Sequence, residues 1–350
     1  MNPTLSECFS PTSGASTMHV PAATATHRVP LSEASVPEPG RGQLRIQVEL
    51  WSVAPGGLQV LSTHTGGLRS PIPAAVGVEA CGFIDAVGPD TPGWQCGERV
   101  SFHASQGFAE YSLCSADQAI LLPRKLDSQP VPWGTLGAAI DLIHQARIAP
   151  GQTVAIVGLG FLGAILTQLA ARKGARVIAL SRRSDALAIA HSMGASELLC
   201  LGAPQDAFHQ VNQWTKNRRC DLVIDATGKP QTLALCELIT ADCGRIIVAE
   251  PRSRSLATID LQTRNLPSRE ILRVPPPDPA LQLASMRRAV NALCRGELTP
   301  ARLFTHRFPL EDLDSAFALA TQRREGFIRA LILPQRIQAR PRNSAPPQFS

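Results

Sequence analysis

The chain has almost no tyrosine: Tyr111 is the only one in 350 residues. A surface of stacked tyrosines for nucleic acid is therefore excluded. It has no long basic block either. The net charge is +6, from 34 Lys plus Arg against 28 Asp plus Glu, and part of that excess sits in the tail as Arg336, Arg340 and Arg342. The rest is spread along the chain, so no nucleic-acid partner is expected. No apolar run approaches the ~18 residues that a membrane helix needs, so no membrane partner is expected. The opening MNPTLSECFSPTSGASTMHV lacks both a basic start and an apolar core. It does not read as a secretory signal, and a cytoplasmic protein is expected. Met18 is an alternative start. Nine cysteines occur, an odd number, with no C-x-x-C pair. That pattern gives neither a disulfide framework nor a cysteine-rich zinc site. The cysteines read as buried, reduced thiols.

What remains is ordinary for a globular chain. Hydrophobic residues make up 44% and charged residues 18%, which excludes a disordered protein. The length favours two domains, each with its own core. Residues 1–17 are rich in Ser, Thr and Pro, and 336–350 are polar and Pro-rich, so both read as disordered tails. Residues 19 to about 125 read as β-rich, with short apolar stretches between Gly, Pro and Asp turns. From about 135 the rhythm changes to strands alternating with helices, beginning with a helix over Leu136–Arg147. That alternation predicts a parallel sheet covered on both faces. The fold class is therefore α/β, with a doubly wound parallel sheet beside a β-rich domain.

The sharpest motif is Gly158-Leu159-Gly160-Phe161-Leu162-Gly163. It follows the strand TVAIV and opens a helix, the context in which G-x-G-x-x-G binds a dinucleotide. The first Gly allows a tight turn, the second lets amides approach a pyrophosphate, and the third allows close helix–strand packing. The helix start then offers its N–H groups to the phosphates. An NAD site places Asp or Glu about 20 residues further on, against the ribose hydroxyls. This chain has Ser181-Arg182-Arg183 there, and no acid before Asp185. Guanidiniums and a hydroxyl suit a 2′-phosphate, so NADP(H) is the expected cofactor. The plain alternative is a pair of solvated loop arginines.

Taken together, GVEACGFIDAVG, GERV, GFAEYSL, APGQTVAIVGLGFLG, DLVIDATG, THRFPLEDLDSAF and GFIRALIL resemble the medium-chain dehydrogenase/reductase superfamily over residues 25–334. The resemblance implies a GroES-like catalytic domain (18–146 and 300–335) with a Rossmann domain (147–299) inserted in it. The active site would lie in the cleft between them. It also implies that Arg329, in the last strand, reaches the cofactor phosphates, and that the protein is a homodimer. Many members carry a catalytic zinc held by Cys, His and Cys or Glu. Here the corresponding positions read Ala54-Pro55-Gly56-Gly57, Gly77-Val78-Glu79 and Gly134-Thr135-Leu136. Ala and Val cannot bind zinc, and Glu79 alone is a poor site. The lobe for a second zinc is missing, because GERVSFHASQ runs almost directly into GFAEY. No metal is expected.

Without a Lewis acid, hydride transfer needs an acceptor that is already electrophilic. The expected function is an NADPH-dependent, zinc-independent reductase of a small activated substrate (an enone or enoyl group, quinone, imine or ketone), in a setting such as specialised metabolism. A non-redox cyclase or lyase, and an NADPH-binding pseudoenzyme, are the alternatives on the same fold. His64 and His103 are the candidate proton donors, each set against a surface or structural role. Ser52, Thr63 and Gln106 are candidate hydrogen-bonding groups. Asp141 reads as a cap or ion-pair partner, and Cys81 as core.

Overall fold

The computed structural model describes residues 17–21, 30–53, 78–104, 107–127, 129–249, 270–273 and 279–334. In chain order, β1 (Thr17–Pro21) and β2 (Leu31–Ser35) pair antiparallel. They are followed by β3 (Gln43–Val53), β4 (Val78–Val87), β5 (Arg99–Ala104), β6 (Tyr111–Ser115), β7 (Ala119–Leu121) and helix α1 (Trp133–Ala146). Alternation then begins: β8 (Thr153–Val157), α2 (Phe161–Arg172), β9 (Arg176–Ser181), α3 (Ser184–Ser192), β10 (Glu197–Cys200), α4 (Pro204–Thr215), β11 (Cys220–Asp225), α5 (Pro230–Ile239), β12 (Thr240–Val248) and β13 (Glu270–Arg273). Helix α6 (Pro279–Cys294), β14 (Phe304–Pro309), α7 (Leu313–Gln322) and β15 (Arg329–Leu333) complete the chain.

Two large sheets result. One has the order β14-β15-β3-β4-β5-β7, with β6 also paired to β3. Its central strand β3 alternates half-buried and buried positions from Gln43 to Leu50, and Leu50, Trp51, Ser52 and Val53 are all buried, because both faces are covered there. One face packs Trp51, Ala80, Phe102, Ala330 and Ile332 into its own core. The other brings Leu50, Cys81 and Leu331 against α1 residues such as Trp133 and Leu136.

The second sheet is parallel, in the order β10-β9-β8-β11-β12-β13. Val154, Ala155, Ile156 and Val157 are all fully buried, because helices cover both faces. The chain enters at β8, winds out to β10, then returns to β11 on the other side. The order therefore reverses between β8 and β11. In such sheets a crevice opens at that point, beyond the strand ends, and ligands bind there.

Three expectations need correction. Helix α1 starts at Trp133, three residues before Leu136. No side chain of its own caps it; Glu79 of β4 accepts from the Thr135 amide and hydroxyl at 2.7 and 2.8 Å. A cap supplied by a distant strand leaves no local signal. Thr17 opens β1 rather than closing a tail, while residues 1–16 and 335–350 lie outside the described residues. Cys96, Cys200 and Cys243 are exposed, whereas Cys81, Cys114, Cys220 and Cys236 are buried. No described helix is long and apolar enough to cross a membrane.

Candidate functional site

The glycine loop sits at the reversal point. Gly158 leaves β8 with φ +93°, a conformation that favours glycine. A Cβ there would also lie 2.5 Å from Thr227 Cγ2. A Cβ on Gly163 would overlap the Gly158 carbonyl oxygen, so the third glycine is needed for packing. Gly160 differs. A Cβ there would meet nothing within 4 Å, so this glycine keeps space open beside the loop. No side chain caps α2, and its first amides remain for a ligand. The cradle fits a dinucleotide pyrophosphate.

The far wall is one that sequence reasoning missed. Asp225, 1% exposed, ends β11. It accepts from Thr227 N (2.8 Å), Thr227 Oγ1 (2.7 Å) and Thr232 Oγ1 (2.7 Å). This network fixes the Thr227 methyl against Gly158. The available signal was an acid closing an apolar strand, with Thr two and seven residues beyond it.

At the end of β9 the arginine pair divides. Ser181 is buried, and its Oγ accepts from Arg183 N at 3.1 Å. Arg182 is exposed. Arg183 instead donates to the Phe327 carbonyl at 2.6 Å, with the Arg323 and Arg324 carbonyls at 3.4 and 3.5 Å. Asp185, the nearest acid, accepts from Gly326 N at 2.7 Å and lies 3.8 Å from Arg183. The carboxylate that could have bound ribose hydroxyls is thus held by the 323–327 turn.

A second cluster lies on the face of the first sheet that meets α1. Register pairs Ser52 with Glu79, and Glu79 with His103, across β3, β4 and β5. Cross-strand partners share a face, so the three form one row. Both carboxylate oxygens of Glu79 have partners. Its Oε1 is engaged by Thr135, and its Oε2 forms an ion pair with Arg329. Arg329 also donates to Thr135 Oγ1 at 3.0 Å, and its guanidinium lies 4.6 Å from the Phe161 ring centre. At 2% exposure it is buried. It therefore touches the first residue of α2, while two of its nitrogens are committed to Glu79 and Thr135.

His103 is half-buried, and burial pulls its pKa below the ordinary value, outweighing the upward pull of Glu79. At neutral pH it is an uncharged imidazole that donates an N–H rather than a proton. Ser52 Oγ and Trp133 Nε1 are buried and have no hydrogen-bond partner among the described residues. Cys81 is core: burial pushes its thiol up to about 11. Asp141 binds Ser285, and Arg288 at 3.1 Å, joining α1 to α6. His64, Thr63 and Gln106 lie outside the described residues, as do Ala54–Gly57.

The described part of the cluster does not suit a zinc ion. Both Glu79 oxygens are engaged, one by a guanidinium whose charge would repel the metal. In the region Gly134-Thr135-Leu136, Gly134 offers no side-chain donor and Thr135 Oγ1 is bonded to Glu79; a Cβ on Gly134 would already lie 3.1 Å from Glu79 Oε1. Among the described residues, no three His, Cys, Asp or Glu side chains are grouped to hold a metal.

Comparison with known proteins places two family models on the chain. The alcohol dehydrogenase GroES-like domain matches residues 40–125, and the zinc-binding dehydrogenase model matches 162–262. Alcohol dehydrogenase notN of an Aspergillus species is 28% identical over 204 residues, 49% of this chain and 59% of that protein. The Sus scrofa quinone oxidoreductase is 29% identical over 175 residues, 48% of this chain and 52% of the other. The chain thus spans between half and three-fifths of these relatives. A mycobacterial structure complexed with NADPH shares the fold, with a TM-score of 0.72 and 21% identity over 91% of this chain and 100% of that one.

Proposed function

The chain belongs to the medium-chain dehydrogenase/reductase superfamily, and from that premise we propose that it is an NADPH-dependent reductase of a small, activated acceptor that works without zinc. One contrast supports this reading: the glycine loop is intact, while the positions that resemble the family's metal ligands read Ala54, Val78 and the Gly134-Thr135-Leu136 region. Bound NADPH supplies a hydride to an electrophilic carbon. The loop Gly158–Gly163, with Phe161 and Leu162 opening α2, holds the pyrophosphate. Ser181 and Arg182 face the adenosine end, where Asp185, the nearest acid in sequence, is held by Gly326 N and lies 3.8 Å from Arg183. Arg329 braces the loop through Phe161 while it neutralises Glu79.

Hydride addition to an enone or quinone places negative charge on an oxygen. The N–H of His103 stabilises that charge from the row facing the cleft, and Ser52 Oγ is a second donor in the same row. Donors of this kind suit acceptors that need no Lewis acid. Quinones and enones are therefore the favoured substrate class, ahead of simple ketones. In this reading residues 18–146 and 300–335 form the catalytic domain and 147–299 the nucleotide domain. The protein is a cytoplasmic homodimer with no nucleic-acid or membrane partner.

The test uses purified full-length protein whose metal content has been measured. It is titrated with NADPH and NADH by fluorescence, then assayed with a quinone and enone panel with and without a chelator. NADPH-selective binding and chelator-resistant oxidation of NADPH are expected. Stoichiometric zinc with chelator-sensitive turnover would overturn the zinc-free reading. Binding of neither nucleotide would overturn the reductase reading. Product formation with NADPH unconsumed would identify a non-redox enzyme instead.

A further inference from the structure

We infer that the 323–327 turn is the second half of the 2′-phosphate site, and that Arg323 and Arg324 determine NADPH selectivity together with Arg182. This deepens the NADPH reading above and rests on it.

The turn belongs to the far end of the chain. It follows α7 and precedes β15, and Arg323 lies 140 residues beyond Arg183. Yet Arg183 binds three of its carbonyls, of Arg323, Arg324 and Phe327. Asp185 binds the Gly326 amide, and Ser184 Oγ lies 3.4 Å from Glu325 Oε1. These contacts press the turn onto the corner that follows Ser181. All three of these bonds leave from Arg183 Nη1, so that side of the guanidinium is taken up by the turn. Arg183 is therefore a positioning residue: it brings two further arginines to the corner.

Charge supports the assignment. Across 181–185 and 323–327, four arginines face two acids. Asp185 is already within 3.8 Å of Arg183, which leaves Glu325 as the acid opposing an anion. Arg182, Arg323 and Arg324 are all exposed. Arg323 takes φ +47° at the end of α7, which bends the chain so that successive residues turn back toward Arg183. A doubly charged phosphate monoester, with three acceptor oxygens, is the anion that exposed arginines on two adjoining segments would hold, with Arg324 Nε bonded to Gln322 Oε1 at 2.6 Å. A ribose hydroxyl would use none of that charge.

The experiment compares the parent with Arg182→Ala, Arg324→Ala and the double variant Arg323→Asn/Arg324→Ala. Asn is chosen because it tolerates the left-handed backbone at 323. NADPH, NADH and the probe 2′,5′-ADP are titrated by calorimetry, and folding is checked by circular dichroism. Arg324→Ala is expected to weaken NADPH and 2′,5′-ADP by about tenfold, and the double variant by more, with NADH unchanged. Arg324→Lys should recover part of the loss. The salt dependence of NADPH binding should become shallower in each variant. If Arg182→Ala weakens NADPH while the turn variants do not, the inference is wrong and the NADPH reading stands. If the turn variants weaken NADPH and NADH equally, the turn acts on the fold rather than on the phosphate, and the inference again fails. A parent protein that binds both nucleotides alike would sink the NADPH reading itself.

Discussion

Replacing Glu79 by Gln should destabilise the protein far more than a single carboxylate-to-amide change at the surface. The side chains of Glu79 and Arg329 are 9% and 3% exposed. Gln keeps an acceptor for Thr135 but turns a neutral amide toward a buried guanidinium. Breaking a buried pair from one side typically costs about 3–5 kcal/mol. The Phe161 ring stays in place 4.6 Å from the guanidinium and offsets about 1 kcal/mol of that. A net loss of about 3 kcal/mol is expected. At about 2 °C per kcal/mol for a chain of this size, melting should fall by about 6 °C. The double variant Glu79→Gln/Arg329→Met is the sharper test. It removes the stranded cation, so stability should return to within about 1 kcal/mol of the parent. The coupling energy between the two sites should then be about 2 kcal/mol or more. Urea unfolding followed by circular dichroism measures all four corners of the cycle. If Glu79→Gln lies within about 0.5 kcal/mol of the parent, or if the two substitutions simply add, the guanidinium is solvated. The argument that this pair is a buried brace would then be refuted.

Two further predictions concern the loop and the cleft. Gly160→Ala should leave the melting temperature unchanged, because a Cβ there meets nothing within 4 Å. It should weaken NADPH binding by about tenfold or more, since that space is left for the pyrophosphate. Gly163→Ala, whose Cβ would overlap the Gly158 carbonyl, should instead destabilise the fold by about 1–3 kcal/mol; equal effects in the two variants would count against the packing argument. His103 makes stability depend on pH. Its folded pKa lies below the ordinary value, so as pH falls the unfolded chain takes up the proton first. Stability is complete above the unfolded value of about 6.5 and declines as pH drops below it toward the depressed folded value. The urea midpoint of the parent should fall between about pH 7.5 and pH 5.5, and His103→Gln should flatten part of that slope. An identical slope in the variant would show that His103 is not the group responsible.

Sequence alone determined the parts of this protein whose causes are local. The apolar run TVAIV followed by G-x-G-x-x-G located a glycine loop at the end of β8, because tight turns and close packing require glycine whatever surrounds them. Alternation of strand and helix was enough to predict the parallel sheet. That Ala54, Val78 and the Gly134-Thr135-Leu136 region carry no Cys, His or carboxylate was visible because ligand chemistry belongs to residue type. Tertiary structure decided what depends on partners far apart in the chain. Glu79 and Arg329 are 250 residues apart, and neither alone reveals an ion pair. Helix α1 starts three residues earlier than its own sequence suggests, since its cap arrives from β4. Arg182 and Arg183 are adjacent and chemically identical, yet only Arg183 meets the 323–327 carbonyls. Hydrogen bonds and burial are properties of three-dimensional neighbours. Two equal side chains can therefore receive different work from the fold, and a sequence read along its length has no means of telling them apart.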